Sequence, residues 1–528
     1  MEDYDYISYE SLAFADTHPD RLAVLGQIFG LQPTPIDTCR VLELGCAEGG
    51  NLIPMAWSLP NAQFVGIDLS VAQTKTGSNM IAALGLGNIV IQQGNILDLT
   101  TQIGTFDYII AHGVLSWVDA PVREKLMASI RELLSDNGLA YVSYNVNPGW
   151  RLRGALRDLM LYHVRDIKHP LQRLERTQEL LRLVEPCIRG AENPLARYMT
   201  EQIKKLASED PSYLYHEYLE STNQPMLFSE FVGLAKRHAM QYVCDSELYT
   251  MFGSSLGEEA ATFIERFETL EEQEQYMDFL RGRGFRQSII CHENATPNYD
   301  IDLSRLEQFS VYADVMPSST VDLRQTVRES FVSSNGEQFS ISDPLTKASL
   351  RYLGEVYPNS VPLEQLRHSA VQRLPGSAVK EPTEQSEVWL GELFNLFANG
   401  AIGVSTQSKC YPEPNFDTPM ISALGRMQAE NGNKNLTTVW HSNLDVDAFA
   451  LRLIHYLDGV HSLDDIVELM TGEVNSGSLV ISSDSLTQQS VQEVERDTVK
   501  ANCERLLMLF ARHGLIASAA VRKHGHVA

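Results

Sequence analysis

The stretch Arg40-Val41-Leu42-Glu43-Leu44-Gly45-Cys46-Ala47-Glu48-Gly49-Gly50 decides the fold. Its first five residues form a short, mostly apolar run that reads as a buried strand. The glycines behind it allow a tight turn and close approach of a ligand to the backbone. A helical stretch follows over 52–58. Working outward, Phe64-Val65-Gly66-Ile67 is a second strand that ends on Asp68. A helix through Ala83 leads to Ile89-Val90-Ile91, and 106–110 and 139–144 complete the pattern. Strands alternating with helices predict an α/β fold with a doubly wound, mostly parallel sheet. Ligands of such sheets sit at the carboxyl ends of the strands.

The glycine spacing differs from the GxGxxG that faces a pyrophosphate at a helix N-terminus. An acid, Glu43, stands just before the loop instead. It would repel a phosphate but suits a cationic amino acid. Asp68 ends the second strand, where a carboxylate accepts hydrogen bonds from ribose hydroxyls. A nucleoside joined to a positively charged amino acid fits both acids, which describes S-adenosylmethionine. Two later strand ends fit the same ligand. Asn95 can hydrogen-bond an adenine and Ile96 can pack on its face; an ordinary polar turn is the lesser alternative. His112 and Trp117 fall near the methionine end, where His112 is either a ligand contact or a plain loop histidine. The turn Asn145-Val146-Asn147-Pro148-Gly149-Trp150 is placed either to form the acceptor pocket or to serve as a structural turn.

In combination, these letters over 38–150 resemble the class I S-adenosylmethionine-dependent methyltransferases. The resemblance implies that Gly45 and Gly49 line the cofactor loop, that Asp68 holds the ribose, and that Asn95 with Ile96 holds the adenine. Methyl transfer is an in-line displacement at a sulfonium carbon, in which positioning does most of the work. No catalytic residue is required, and none is identified by motif.

At 528 residues the chain should hold several domains. The expected division is a helical lid over 1–37, a methyltransferase domain over 38–150, a helical middle domain over 151–330 and a mainly helical domain over 331–528. In the lid, Thr17 or Asp20 is the expected cap of a helix ending near Gly30. A formal charge of −26 argues against nucleic acid as a partner. One local exception is 151–189, where nine Arg or Lys meet five acids, a pattern that reads as a solvated amphipathic helix. No run is long enough to span a membrane, and the acidic, aromatic start is not a secretory signal. The seven cysteines form no CxxC pair and read as reduced, mostly buried thiols of a cytoplasmic protein.

Behind the sheet the periodicity turns helical. Tyr213-Leu214-Tyr215-His216-Glu217-Tyr218-Leu219, Asn223-Gln224-Pro225 and 277–291 resemble the regulatory domain found beside some bacterial methyltransferase domains. The layout as a whole resembles the bacterial outer-membrane-protein lysine methyltransferases. That resemblance implies a protein substrate methylated on lysine, a further C-terminal domain, and a homodimer. His216 with Glu217 lacks a partner histidine at ligand spacing, so no metal site is expected. Helices over 344–366 and 388–402 with a short strand over 401–405 suggest a winged-helix-like module. Polar residues 474–495 read as a loop, a last helix starts near Asp497, and His524 and His526 sit in a frayed tail.

A lysine acceptor must shed its proton from a pKa of about 10.4. A dry channel would favour the neutral amine, and Tyr9, Phe14, Trp117 and Trp150 are candidate walls. Two other readings stay open. One is a methyltransferase for a small metabolite or a surface glycan or lipid. The other is a catalytically inactive binding module, against which the intact Glu43, Gly45, Gly49 and Asp68 count.

Overall fold

The computed structural model describes residues 7, 11–333, 336–375, 382–479 and 496–517. Its centre is a seven-stranded sheet in the order β3-β2-β1-β4-β5-β7-β6. The strands are β1 Arg40–Leu44, β2 Gln63–Asp68, β3 Ile89–Gln93, β4 Phe106–Ala111, β5 Leu134–Asn145, β6 Met240–Asp245 and β7 Phe285–His292. The first five pair in parallel, and β7 runs antiparallel to both β5 and β6. The doubly wound expectation therefore holds. Strands β6 and β7, from the stretch expected as a middle domain over 151–330, finish the same sheet.

The period of two along each strand sorts side chains onto two faces. Val41, Tyr108, Ile110, Ile289 and Cys291 face one core; Leu42, Ile109, Ala111 and Ile290 face the other. The second face is covered by helices Ala120–Leu133 and Phe228–Arg237 through Leu126, Met127, Phe228 and Phe231. The first is covered by helix Pro19–Ile28 and by residues from 306 to 404, including Leu345, Leu353 and Trp389. The boundary expected at 331 thus cuts through a shared core. Helix Pro19–Ile28 is capped by His18, whose ring accepts the Asp20 amide, and not by Thr17 or Asp20 as expected.

Helices Gly149–His163, Pro170–Ile188, Pro194–Leu206 and Pro211–Tyr218 form a separate bundle around Leu156, Met160, Leu174, Leu181 and Tyr215. The basic stretch 151–189 lies on its first two helices. Another self-contained core spans Ile421 to Ile516, built from helices Ala423–Glu430, Ala448–Tyr456, Leu463–Asn475 and Arg496–Arg512. It carries a hairpin of Asn435–Thr437 and Asn443–Asp445. The strand expected to belong to a winged module, Gly403–Ser405, pairs instead with Ser310–Tyr312 beside the main core. The helices-with-hairpin unit therefore comes later in the chain than the sequence suggested.

Five of the seven cysteines are buried and all are free thiols. Among the described residues, no helix is long and apolar enough to cross a membrane, and no three His, Cys, Asp or Glu side chains gather as metal ligands would. Tyr9, His524 and His526, and residues 480–495 of the loop expected over 474–495, lie outside the described residues; its first two residues end helix Leu463–Asn475.

Candidate active site

The loop after β1 turns back through left-handed backbone at Gly45 (φ 78°), Ala47 (φ 50°) and Gly49 (φ 84°). A Cβ at Gly45 would stand 2.7 Å from Val114, and one at Gly49 would stand 2.3 Å from Ile91. Both positions therefore demand glycine on two counts, conformation and space. Asp68 holds the loop from the next strand. One carboxylate oxygen accepts the Ala47 amide at 2.9 Å and the other accepts the Ser70 amide at 2.8 Å. Each oxygen keeps acceptor capacity for a hydroxyl.

Glu43 lies under this loop at 4% exposure. Its Oε1 accepts from the Asn51 side-chain amide at 2.8 Å, while Oε2 is buried and has no hydrogen-bond partner among the described residues. Burial pushes its carboxyl up to about 7, with Asn51 opposing and Asp68 adding to the shift. A buried, half-satisfied carboxylate is costly in isolation. An ammonium group would complete it, so the loop fits the amino-acid end of S-adenosylmethionine.

Asn95 and Ile96 follow the end of β3. Asn95 caps the short helix Ile96–Asp98 by accepting the Leu97 amide at 3.0 Å, and Ile96 is partly exposed beside it. His112 follows β4 and packs against Phe14 with ring centroids 4.1 Å apart and planes tilted by 32°. Its Nδ1 lies 3.0 Å from the Tyr141 hydroxyl, which donates to Gln287 Oε1 at 2.6 Å. Burial lowers the His112 pKa to about 4, so the ring is neutral at physiological pH. With the Tyr141 proton on Gln287, His112 Nδ1–H can donate to the phenol oxygen, leaving Nε2 as an acceptor. Asp16, whose side chain is 41% exposed, accepts from Ser246 Oγ at 2.9 Å, and after burial its charge is the largest influence raising the Tyr141 pKa.

The proposed aromatic channel separates into two groups. Phe14 joins His112, whereas Trp117 and Trp150 pack edge to face at 6.3 Å, with Tyr218 6.1 Å from Trp150. Trp150 is 3% exposed. The turn after β5 is held by neighbouring segments. Asn145 donates to Asn223 at 3.1 Å, Asn147 donates to the Pro225 carbonyl at 3.3 Å, and a Cβ on Gly149 would strike the Arg283 backbone at 2.6 Å. His216 spends both ring nitrogens on Glu220 and the Ile7 carbonyl.

Several contributors had no local sequence signal. Asn51 connects three other segments: its oxygen accepts from Phe14 N and His441 Nε2, both at 2.9 Å, and its amide donates to Glu43 at 2.8 Å and to Thr17 at 2.9 Å. Ser11 Oγ accepts the Gly50 amide at 2.8 Å, which lays the strap 11–17 over the glycine loop. Only the position of Asn51, directly behind Gly50, hinted at its part. Tyr141, Gln287, Asp16 and His441 reach the site from distant segments.

Known proteins were compared with the chain. The methyltransferase-domain profile matches residues 36–210, the predicted methyltransferase regulatory domain matches 210–292, and the PKMT C-terminal winged helix domain matches 417–515. The last match identifies the helices-with-hairpin unit as the winged helix. An uncharacterized protein of Rickettsia prowazekii, RP789, is 32% identical over 501 residues, covering 94% of this chain and 90% of the relative. The structure of PKMT2 from Rickettsia typhi in complex with AdoHcy superposes with a TM-score of 0.85 at 28% identity, over 96% of this chain and 99% of that one. A second Rickettsia typhi PKMT2 structure gives 0.84 at 27% identity, over 97% and 100% of the two chains. The glycine loop, the sheet and the full-length similarity agree, and the chain belongs to the S-adenosylmethionine-dependent class I methyltransferases that carry a regulatory domain and a PKMT-type winged helix.

Proposed function

We propose that this methyltransferase modifies lysine side chains of a protein acceptor. The observation that carries the reading is the near full-length similarity to PKMT2, winged helix included. A small acceptor would require far less surface behind the cofactor loop.

S-adenosylmethionine supplies an electrophilic methyl group on a sulfonium. In this reading Glu43 Oε2 takes its ammonium, Gly45 and Gly49 admit its backbone-like end, and Asp68 takes the ribose hydroxyls. Asn95 and Ile96 hold the adenine, and His112 borders the methionine end. The acceptor amine arrives between Phe14, His112 and Asp16. Asp16 attracts it as an ammonium, and the buried neutral groups His112, Tyr141 and Gln287 favour the uncharged form that attacks. Positioning then provides the rate.

The test is to incubate the protein with radiolabelled S-adenosylmethionine and a cell-envelope extract, then hydrolyse the labelled fraction. Radioactive methyl-lysine is the expected product. Label confined to small molecules or to glycan would overturn the lysine reading, and cofactor binding with no transfer would favour a binding module.

A further inference from the structure

The winged helix meets the cofactor loop directly. The turn between Asn435–Thr437 and Asn443–Asp445 extends His441 with left-handed backbone at φ 57°. A non-glycine residue rarely adopts this conformation without compensation. Here the compensation is a bond: His441 Nε2 donates to Asn51 Oδ1 at 2.9 Å, some 390 positions away in the chain. Two residues on, Asn443 Nδ2 donates to the Ala13 carbonyl at 2.8 Å, on the strap that covers Gly50. The turn itself is anchored. Trp440 stacks on Tyr312 at 3.5 Å and donates its indole N–H to the Pro358 carbonyl at 2.9 Å.

His441 is 5% exposed, and burial beside His18 and Lys409 keeps its ring neutral. A neutral ring that donates from Nε2 has one use for that proton, the Asn51 oxygen. Fixing that oxygen fixes the amide on the other side of the same planar group. That amide donates to Glu43 Oε1 at 2.8 Å and leaves Oε2 as the unpaired atom.

We propose that His441 is a positioning residue for the cofactor site: the winged helix, through His441 and Asn443, holds Asn51 and the strap so that Glu43 presents its free oxygen to the cofactor's ammonium. The C-terminal domain would then set cofactor affinity whatever else it binds. The inference rests on the reading of Glu43 as the ammonium partner. By linkage, cofactor and turn must stabilise each other equally.

Two measurements on the full chain test this. Calorimetry with AdoHcy compares wild type with His441→Asn, which tolerates left-handed backbone but is too short to reach Asn51. The expected result is an affinity about 5- to 20-fold weaker, a KM for S-adenosylmethionine raised more than kcat is lowered, and partial recovery in His441→Gln. Hydrogen exchange on the wild type should show AdoHcy protecting amides of 438–443 as well as those of 45–51. Unchanged affinity in His441→Asn, or no protection of 438–443 in the wild type, overturns the proposal. Glu43→Gln separates it from its premise. If that variant binds AdoHcy as the wild type does, the ammonium reading fails; if it binds weakly while His441→Asn binds normally, only the role of the winged helix fails.

Discussion

Glu43 on β1 and Arg286 on β7, with Arg283 just before that strand, are all buried, yet they differ in their partners. Arg286 is wholly buried, is paired with both oxygens of Asp278 at 2.8 Å and with Glu274 at 2.8 Å, and has its guanidinium carbon 3.9 Å above the Phe228 ring. Arg283 meets Asp245 at 2.8 Å. Burial alone would raise the carboxyls of Glu274 and Asp278, and Arg286 counteracts it. Among the described residues no cation pairs with Glu43, which has only an amide on one oxygen. The paired cluster pins β6 and β7 to helix Leu270–Arg281 and reads as architecture. The unpaired acid reads as a site, because a ligand is what would complete it.

Arg286→Met removes the shared cation and leaves two buried carboxylates facing each other. A loss of about 3–5 kcal/mol is expected, visible as a lower denaturation midpoint with or without AdoHcy. A variant as stable as the wild type would deny the cluster its structural role. Glu43→Gln should do the reverse. AdoHcy affinity should fall about 10- to 100-fold, the range for losing a charge-assisted hydrogen bond, while the ligand-free protein is no less stable above pH 7.

A pH series sharpens the same contrast. The Glu43 carboxyl sits near 7 in the ligand-free fold against an ordinary 4.5. The folded state therefore holds its proton more tightly than the unfolded chain does. The stability from that group is complete below about pH 4.5 and is lost as pH rises through 7. Ligand binding should run the other way. AdoHcy affinity should climb as pH rises toward 7 and level off above it, and Glu43→Gln should flatten this trend. The smallest expected effect is Asn95→Ala, a loss of a few-fold in cofactor affinity by calorimetry, since its oxygen already serves the Leu97 amide.

The strand-loop-strand unit from Arg40 to Asp68 was legible because every part of it is local: apolar run, glycines, an acid at each strand end. His112 was legible only as a position after a strand; its partners Phe14, Tyr141 and Gln287 belong to three other segments. His441 was not legible at all, because nothing near residue 441 encodes proximity to Asn51. The winged helix was misplaced for a related reason. Helices over 344–398 and 423–512 share the same apolar period, and only strand pairing separates them. Gly403–Ser405 went to Ser310–Tyr312, while the hairpin formed at 435–445. The last two strands of the sheet were not legible beside the first five, because β6 and β7 lie some 90 residues or more beyond β5 in the chain and return to it through long-range pairing.

The core shared between β1, β2 and β4 and residues 306–404 has a consequence for synthesis. Val41, Phe64 and Tyr108 emerge from the ribosome long before Leu345 or Trp389, which cover them. At about 5–20 residues per second, that face of the sheet waits roughly 15–60 s for its cover. The half of the protein that binds the cofactor is thus made first and finished last, and a nascent chain of this length has to be kept from aggregating through that apolar face until its second half arrives.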